Sequence, residues 1–289
     1  MIKKTIENFS IEQICLSGQC FRMKEINPGT AEDERHYTEV IAEGRYLLVC
    51  QSGNDVYFDC DETEYETVWK RYFDIDSDTD YAGIIGSIDE DDLYLKNAAE
   101  YGGGIRILRQ DLWEMIISFI ISQRNNIKRI RTCIGRLCEK YGEKKVIYNG
   151  EGTLRRELFG ETTVYYDFPT PKALADADIS DIRALGVGYR DVYIKKAAEA
   201  VMYGDIDIDA VKKMDYEAAK RELLGLFGVG EKVADCICLF ALHLTEAFPR
   251  DTHIISIVNN EYGGEFPFDM YEGYAGVLQQ YMFFYDLKI

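Results

Sequence analysis

A change in hydrophobic period near residue 102 constrains the fold of this chain more than any other feature of its sequence. From about residue 37 to residue 73, polar residues alternate with β-branched or aromatic ones, and turns interrupt the pattern at Gly44 and at Ser52-Gly53-Asn54. This pattern predicts hairpins of an antiparallel sheet. After Gly102-Gly103-Gly104, apolar residues recur at helical spacing to the C-terminus. We therefore expect an α+β fold.

The same glycine run marks the predicted domain boundary. Residues 1–104 form the expected N-terminal antiparallel β domain and residues 105–289 the helical domain. Each is long enough to bury a core of its own. Residues 141–171 are rich in Gly, Thr and Pro, which predicts a long connection between helices.

Composition indicates a globular protein, with 47% hydrophobic and 13% aromatic residues. No stretch approaches the roughly 18 uninterrupted apolar residues of a membrane helix. The first residues lack the apolar centre of a signal peptide. We therefore expect a cytoplasmic protein with no membrane partner, associated with the nucleoid if the source is prokaryotic.

The eight cysteines are scattered along the chain, which predicts reduced thiols rather than a disulfide framework. Neither Cys133-x4-Cys138 nor Cys236-x-Cys238 belongs to a four-ligand set with zinc or iron–sulfur spacing. Only three histidines are present to complete such a set. We expect no structural metal.

The net charge of −18 is unevenly distributed. Residues 1–105 carry 9 basic and 23 acidic side chains, whereas the rest of the chain carries 24 and 28. Residues 124–145 contain eight basic side chains against Glu139 and Glu143. Phosphate binding depends on Lys and Arg, so the overall charge argues against nucleic acid while this local surface allows it.

Two segments repeat the order apolar helix end, Gly-Val-Gly, new helix. They contain Gly186 and Gly188 in the first case and Gly228 and Gly230 in the second. Such glycines permit positive φ and leave amides uncovered at the next helix N-terminus, where an anion can bind. The alternative is an ordinary helix-to-helix turn with a C-cap glycine.

Lys232 follows the second Gly-Val-Gly and opens an otherwise apolar helix. The positive end of the helix dipole and partial burial should lower its pKa and favour a nucleophilic amine. Cys236 lies on the same face, four residues on. Asp251 is a plausible N-cap of the following helix and could pair with the lysine. The alternative is a lysine whose charge reaches solvent.

These residues together resemble the helix-hairpin-helix DNA glycosylase superfamily, and within it the 8-oxoguanine DNA glycosylases. The likeness rests on GVGEK, VADCICL and the aspartate in PRDTH. It continues in order through SGQCFR (17–22), SQRNNIKRI (122–130), LGVGYR (185–190) and YAGVLQQYMFFYDL (274–287). The likeness extends over nearly the whole chain.

The resemblance implies a bifunctional base-excision repair enzyme. A TBP-like antiparallel sheet domain would pack on a helical domain carrying the helix-hairpin-helix, and the C-terminal helix would return to line the base pocket. Lys232 would displace 8-oxoguanine and form an imine, followed by β-elimination (AP lyase activity). Asp251 would stabilise the developing positive charge. Double-stranded DNA containing 8-oxoguanine is the implied partner of a monomer that needs no cofactor and no iron–sulfur cluster.

The base pocket is implied in the same way. Cys236 and Phe283 match stacking positions, and Gln279 matches the reader of the Watson–Crick edge of the base. Gly18 matches the residue whose carbonyl accepts the N7–H of 8-oxoguanine. Without the resemblance, Phe283 reads as a core aromatic and Gly18 as a simple turn.

The resemblance also implies a set of DNA contacts. Tyr189 matches a wedge beside the extruded base, and Arg190 and Arg129 match contacts to the opposite cytosine. The alternative is that Arg129 and Arg190 are ordinary solvated helix arginines. The remaining matches are Asn125 and Asn126, the phosphate contact His253, and the hairpin glycines Gly228 and Gly230. Arg124 departs from the family, which carries asparagine there, so opposite-base preference stays open.

Two other functions compete with this one. A relative acting on another damaged purine, such as an alkylated one, would typically keep the aspartate without Lys232. A non-catalytic DNA-binding module would have no use for the combined pocket residues.

Overall fold

The computed structural model of the chain describes residues 1–26, 35–75 and 79–288. Within these ranges, a five-stranded antiparallel sheet has the strand order β1-β5-β4-β3-β2, and a separate hairpin pairs β6 with β7. The N-terminal sheet and the α+β class are therefore confirmed. The strands are β1 (Ile2–Thr5), β2 (Met23–Ile26), β3 (His36–Ala42), β4 (Arg45–Ser52), β5 (Asp55–Phe58), β6 (Lys144–Tyr148) and β7 (Thr162–Tyr166).

Both predicted hairpins of the large sheet are present. The turn between β3 and β4 has positive φ at Glu43 (50°) and Gly44 (70°), and the turn between β4 and β5 has positive φ at Gly53 (57°). Positive φ in short turns matches the right-handed twist of the flanking strands. The turn residues thus set the register of the central three strands.

The predicted strand region extends too far, because residues 62–72 are helical. Tyr65, Val68, Trp69 and Tyr72 are all buried, at helical rather than alternating spacing. They pack against the sheet, where the Phe58 and Tyr65 ring centroids lie 5.0 Å apart. This aromatic helix covers the face of the sheet that would otherwise be open.

Helices make up most of the remaining described chain, and none of those within the described ranges combines the length and apolar character of a membrane span. Their bounds are α1 (Ile11–Leu16), α2 (Glu62–Glu64), α3 (Lys70–Tyr72), α4 (Tyr81–Gly86), α5 (Leu93–Gly102), α6 (Leu112–Ser122), α7 (Ile127–Tyr141), α8 (Leu154–Phe159), α9 (Pro171–Asp176), α10 (Ile179–Ile182), α11 (Arg190–Tyr203), α12 (Ile208–Val211), α13 (Tyr216–Leu224), α14 (Glu231–Phe240), α15 (Thr252–Glu261) and α16 (Ala275–Leu287), with π-helical turns at Tyr65–Trp69 and Arg183–Val187 and a 3-10 turn at Phe268–Met270.

Two main hydrophobic cores divide the molecule. The smaller core joins α1, the sheet and the helix of residues 62–72, and the larger joins α4 to α7 and α9 to α16. The C-terminal helix α16 packs on α5, so the chain end returns to the middle of the structure. Because α4 and α5 contribute to the larger core, packing extends across the glycine run where the boundary is predicted. The boundary itself stays a prediction.

The segment predicted as a connection between helices is instead an ordered arm. Residues 144–166 form the β6–β7 hairpin with α8 between its strands. Tyr165 packs against Tyr46 of the large sheet, with ring centroids 5.9 Å apart. Exposure alternates along both strands, but the turn-forming residues around them concealed that pattern. The arm ties the helical part of the chain to the sheet.

All eight cysteines are free, as their spacing predicts. Burial raises the pKa of Cys15 to about 11 and that of Cys238 to about 12. These thiols are therefore protonated at neutral pH. A protonated, buried thiol is a poor nucleophile and packs as a small hydrophobic side chain.

Candidate active site

The second Gly-Val-Gly segment joins α13 to α14 and brings Lys232 to the start of a helix. Gly228 has a φ of 86°, as expected, but Gly230 is extended, with a φ of −107°. Only one of the two glycines therefore needs the left-handed region. Gly230 is the N-cap of α14 and offers no side chain to the first amides, so these amides stay open to a ligand.

Lys232 is half-buried at the second position of α14. Its Nζ lies 5.5 Å from the centroid of the Phe119 ring, and the side chain lines a pocket together with Cys236 and Asp251. Burial raises the pKa of Cys236, although the neighbouring Lys232 opposes this shift. The thiol is therefore neutral, and it presents a polarizable surface beside the amine.

Asp251 is the N-cap of α15, as the sequence predicts. Its Oδ1 accepts a hydrogen bond of 2.9 Å from the backbone amide of Ile254. That bond fixes the orientation of the carboxylate at a helix N-terminus. Two helix N-termini, those of α14 and α15, thus deliver the lysine and the aspartate to one pocket.

This pocket lies between the turn after α1, the helices α6, α14 and α16, and the segment before α15. It contains about 320 Å³ of empty space including its open mouth. The sequence-predicted Gly18, Cys236, Gln279 and Phe283 all line it with Lys232 and Asp251. Its full lining is Ser17, Gly18, Phe119, Lys232, Cys236, Phe240, Pro249, Asp251, Gln279, Gln280 and Phe283.

Gly18 is a structural necessity in this pocket. Its φ is 79°, and a Cβ at this position would lie 3.3 Å from a ring carbon of Phe283. Any side chain would be strained and would crowd that ring. The backbone of Gly18 can therefore approach a flat ligand lying on Phe283.

Gln279 offers the pocket an unsatisfied acceptor. The side chain is only 4% exposed, and its Oε1 has no hydrogen-bond partner among the described residues. A buried polar atom without a partner costs roughly 1–3 kcal/mol, which a ligand donor would recover. Phe283 lies one turn further along α16 on the same face, as predicted. It contacts His253 edge to face, with ring centroids 5.8 Å apart, and His253 Nδ1 lies 2.6 Å from Asp286 Oδ2.

A wider open groove adjoins the pocket and shares Lys232, Asp251 and Phe283 with it. The lysine and the aspartate thus lie where the pocket and the groove adjoin. The predicted DNA contacts Arg124, Asn125, Asn126, Gly230 and His253 also line this groove.

The two asparagines also have local structural roles. Asn126 caps α7 by accepting from the amide of Arg129 at 2.9 Å, and Asn125 Nδ2 donates to the carbonyl of Ile121 at 3.2 Å. Arg124 between α6 and α7 is exposed and has a φ of 47°. The direction of its side chain therefore follows from a left-handed backbone conformation in the loop and not from helix geometry.

The predicted cytosine contacts differ in their availability. Arg190 is only 5% exposed, and its guanidinium donates to the carbonyls of Val187, Gln123 and Arg124. Arg129 is exposed and donates to the Gly186 carbonyl at 3.2 Å. The predicted wedge, Tyr189, is half exposed at 51%. In this structure Arg190 therefore braces the backbone, whereas Arg129 and Tyr189 face outward.

Sequence reasoning missed several pocket residues. Phe119 and Phe240 form a stacked pair with centroids 5.6 Å apart and an interplanar angle of 17°, and Phe119 faces the lysine. Both lie in apolar helical patterns that read as core, so no local signal distinguished them. Gln280 was also missed, although a second glutamine in an apolar helix was a usable signal.

A set of possible metal ligands lies elsewhere, on the sheet domain. The ligand atoms of Glu12, Glu25 and His36 fall within 4.8 Å of one another. Nδ1 of the exposed His36 lies 3.5 Å from a carboxylate oxygen of Glu12, and this contact accounts for the proximity without a metal. None of the three lines the pocket.

Comparison with known proteins agrees with this geometry. Residues 1–116 match the family model described as 8-oxoguanine DNA glycosylase, N-terminal domain. Residues 117–265 match the model of the HhH-GPD superfamily base excision DNA repair proteins.

Three relatives illustrate the similarity. A probable N-glycosylase/DNA lyase of Methanothermobacter thermautotrophicus is 30% identical over 67% of this chain and 67% of its own length. An N-glycosylase/DNA lyase of Saccharomyces cerevisiae is 34% identical over 55% of this chain, and the match spans only 42% of that protein. The 8-oxoguanine glycosylase/lyase of Clostridium acetobutylicum, in complex with double-stranded DNA containing cytosine opposite 8-oxoguanine, has a TM-score of 0.84 and 31% identity over 98% of this chain and 93% of its own.

The family models cover the sheet domain and more than half of the chain, and the solved relative matches along almost its whole length. The chain therefore belongs to the HhH-GPD superfamily of base excision DNA repair proteins and, within it, to the 8-oxoguanine DNA glycosylase/lyases.

Proposed function

We propose that this chain is a bifunctional DNA glycosylase/lyase that removes 8-oxoguanine from duplex DNA. One observation carries the proposal: Lys232 and Asp251 both line a pocket whose other walls include a thiol, an aromatic ring and a buried amide oxygen with no hydrogen-bond partner among the described residues. A purine rotated out of the stack needs flat or polarizable walls and a polar group at its edge. A deoxyribose attached to that purine would lie at the lysine.

Base recognition follows from the pocket walls. Cys236 and Phe283 would cover the two faces of the base, and Gln279 Oε1 would accept from its Watson–Crick edge. The Gly18 carbonyl would accept the N7–H that 8-oxoguanine carries and guanine lacks. Because guanine presents a lone pair at N7, two acceptors would face each other and normal guanine would be disfavoured.

The chemistry requires an uncharged amine at Lys232. Its nitrogen forms a bond to C1′ while the bond from C1′ to the base breaks, and the departing base takes up a proton. The bond between C1′ and O4′ then breaks and opens the sugar ring. One proton passes from the nitrogen to O4′, and a protonated imine remains. Loss of a proton from C2′ with cleavage of the bond from C3′ to oxygen releases the 3′ phosphate. No electrons are transferred to or from the protein, so the reaction needs no redox cofactor, and we propose that the lysine and the aspartate suffice without any cofactor.

Asp251 would act as an electrostatic stabiliser in this reaction. As the bond to the base weakens, positive charge develops on the sugar, and a fixed carboxylate stabilises it. The hydrogen bond from Ile254 holds that carboxylate in place. A carboxylate already oriented in the free enzyme does not need to reorganise when the charge appears.

The open groove would bind the phosphate backbone around the extruded nucleotide. Its contributions are the uncovered amides at the start of α14 and the side chains Arg124 and His253. Because this binding displaces counterions, affinity for an abasic-site analogue should fall steeply with added salt. We place the enzyme with the DNA it repairs, in the cytoplasm and, if the source is prokaryotic, at the nucleoid, and expect it to act as a monomer.

Borohydride trapping tests the assignment of the nucleophile. Incubating the protein with duplex DNA containing 8-oxoguanine opposite cytosine and then reducing the imine should link protein and DNA through Lys232. Lys232→Gln should abolish the cross-link, whereas Lys212→Gln, which removes an exposed lysine outside the pocket, should leave it intact. If the Lys232→Gln protein is trapped as efficiently as the wild type, another amine is the nucleophile.

A panel of opposite bases tests the substrate assignment. Excision of 8-oxoguanine should be measured opposite each of the four bases for the wild type and for Arg124→Asn. Asparagine accepts the positive φ at this position, so the fold should tolerate the change. We expect the ratio of excision rates between the four opposite bases to differ between the two proteins. Failure of the wild type to excise 8-oxoguanine opposite every base would refute the proposed substrate.

A further inference from the structure

The turn that carries Gly18 is held by glutamine side chains on both sides of that residue. Gln280 Nε2, from α16, donates to the Ser17 carbonyl at 2.7 Å. Gln110 Nε2, from the segment before α6, donates to the Gln19 carbonyl at 2.9 Å. Both side chains are buried, at 2% and 6% exposure. The carbonyls before and after Gly18 are therefore fixed.

The carbonyl between them has no such bond. Over residues 1–26, 35–75 and 79–288, no donor lies within hydrogen-bond distance of the Gly18 carbonyl. Gly18 itself lines the base pocket. The turn thus satisfies its two flanking carbonyls with protein donors and leaves the middle acceptor free for a ligand.

Gln279 and Gln280 make different hydrogen bonds. Neighbouring residues on a helix point about 100° apart, so the two side chains leave α16 in different directions. The side-chain oxygen of Gln279 has no hydrogen-bond partner among the described residues, whereas the side-chain amide of Gln280 donates to the Ser17 carbonyl in the turn. One side chain would touch the base, and its neighbour would hold the backbone that touches the base.

We propose that Gln280 is a positioning residue that sets the Gly18 carbonyl for recognition of a purine with a hydrogen at N7. This inference rests on the proposed function. A hydrogen bond weakens steeply with distance and angle, so a carbonyl that discriminates N7–H from a lone pair must be placed within about 0.5 Å. Gly18 has a positive φ and no side chain, so its own conformation does not secure that placement. The hydrogen bond from Gln280 secures it across the domain contact.

The two activities of the enzyme separate this role from a general structural one. Excision of 8-oxoguanine needs both base recognition and the amine. Cleavage at a preformed abasic site needs the amine but no base. A residue that acts only through the Gly18 carbonyl should therefore affect the first reaction and spare the second.

The test compares Gln280→Met with the wild type on two duplexes, one with 8-oxoguanine opposite cytosine and one with an abasic site opposite cytosine. Methionine has a similar length but no donor, so the Ser17 carbonyl loses its partner. We expect the single-turnover excision rate to fall on the order of tenfold to a hundredfold. Abasic-site cleavage and borohydride trapping on that duplex should stay within about twofold of the wild type.

Gln123→Met is the matched control. Gln123 Nε2 also donates to a backbone carbonyl, that of Gly228 at 2.9 Å, but on the lysine side of the pocket. Its loss should lower both reactions together. Gln110→Met provides a second test of the turn and should reproduce the selective loss, which keeps the inference testable if Gln280→Met is unstable.

The outcomes separate the two levels of the argument. If the wild type cleaves abasic sites but leaves 8-oxoguanine in place, the proposed function fails before Gln280 is considered. If the wild type excises 8-oxoguanine and Gln280→Met matches it on both duplexes, or loses both reactions equally, Gln280 is not a positioning residue for recognition.

Discussion

The two Gly-Val-Gly segments have the same sequence pattern and different surroundings. In the first, both Gly186 and Gly188 have positive φ, at 91° and 62°. Its carbonyls accept from arginines: Gly186 from Arg129 and Val187 from Arg190. The first segment is therefore an anchoring point for guanidinium groups.

The second segment has one glycine in the left-handed region and lies against an aromatic ring. Its Gly228 carbonyl accepts from the amide of Gln123, and its backbone touches the ring of Tyr193. The helix that follows carries Lys232 and leaves its first amides uncovered. The repeated glycines set the path of the chain, and the residues packed around them decide whether a segment holds arginines or delivers a nucleophile.

The largest expected effect is that of Gly228→Ala. A Cβ at this position would lie 2.5 Å from two carbons of the Tyr193 ring, and the φ of 86° is unfavourable for alanine. Strain and overpacking should together lower the free energy of unfolding by about 3 kcal/mol. Urea denaturation followed by circular dichroism measures this change.

Gly230→Ala is the control for that prediction. A Cβ there would meet nothing within 4 Å, and its backbone is extended rather than left-handed. Its cost should stay below about 1 kcal/mol. Equal destabilisation by the two variants would show that the second segment does not press on Tyr193.

Arg190→Met should have the next largest effect, about 2 kcal/mol of unfolding free energy. The guanidinium is buried, and its loss leaves the carbonyls of Val187, Gln123 and Arg124 without that donor. Arg129→Met, at an exposed position, should change stability by less than about 0.5 kcal/mol. Thermal or urea unfolding of the two variants gives the difference. A larger loss for Arg129→Met would contradict the assignment of Arg190 as the brace.

The local parts of the site could be predicted from the sequence. The start of a helix just before Lys232, the N-cap at Asp251 and the shared face of Gln279 and Phe283 all depend on residues within four positions of each other. Capping and helical spacing act over that range and are visible in a sequence. The overall α+β division was predictable because the hydrophobic period changes.

Contacts between distant parts of the chain could not be predicted in the same way. Gln280 donates to a carbonyl 263 residues away, and Arg190 to one 67 residues away. Nothing near either residue indicates that partner. The helix of residues 62–72 was missed because a short aromatic-rich stretch fits both periods, and packing on the sheet decides between them.

Gly186→Ala should lower the free energy of unfolding by about 1 kcal/mol, which is less than the loss expected for Gly228→Ala. The φ of 91° disfavours alanine, but the nearest atom to a Cβ is a guanidinium nitrogen of Arg136 at 3.4 Å, which can move aside. Gly186→Ala should therefore introduce backbone strain in the first segment without a steric clash. Gly135→Ala in α7, where a Cβ meets nothing within 4 Å, should instead stabilise the protein slightly. Urea midpoints of the three variants would rank them, and a cost for Gly186→Ala as large as that for Gly228→Ala would remove the contrast.

The smallest expected effect concerns ion pairs within each segment's surroundings, which join the residues before a Gly-Val-Gly to the helix after it. Across the second, Lys220 on α13 lies 2.9 Å from both Glu231 and Asp235 on α14. Burial lowers the pKa of Lys220, but hydrogen bonds with Glu231, Asp235 and Tyr216 outweigh it and raise the pKa above its ordinary value. Across the first, Arg183 pairs with the buried Asp191.

The two pairs should respond differently to alkaline pH. A raised folded-state pKa gives stability that is fully present below the unfolded pKa of about 10.4 and is lost as pH rises through the folded value. Lys220→Met should therefore destabilise by under about 1 kcal/mol from pH 7 to 9, and the difference from wild type should shrink above roughly pH 10.5. Arginine stays charged over this range, so the effect of Arg183→Met should not change. Urea unfolding of both variants across this range measures the two trends. If both effects disappear in parallel at high pH, the cause is a change common to both proteins rather than deprotonation of Lys220.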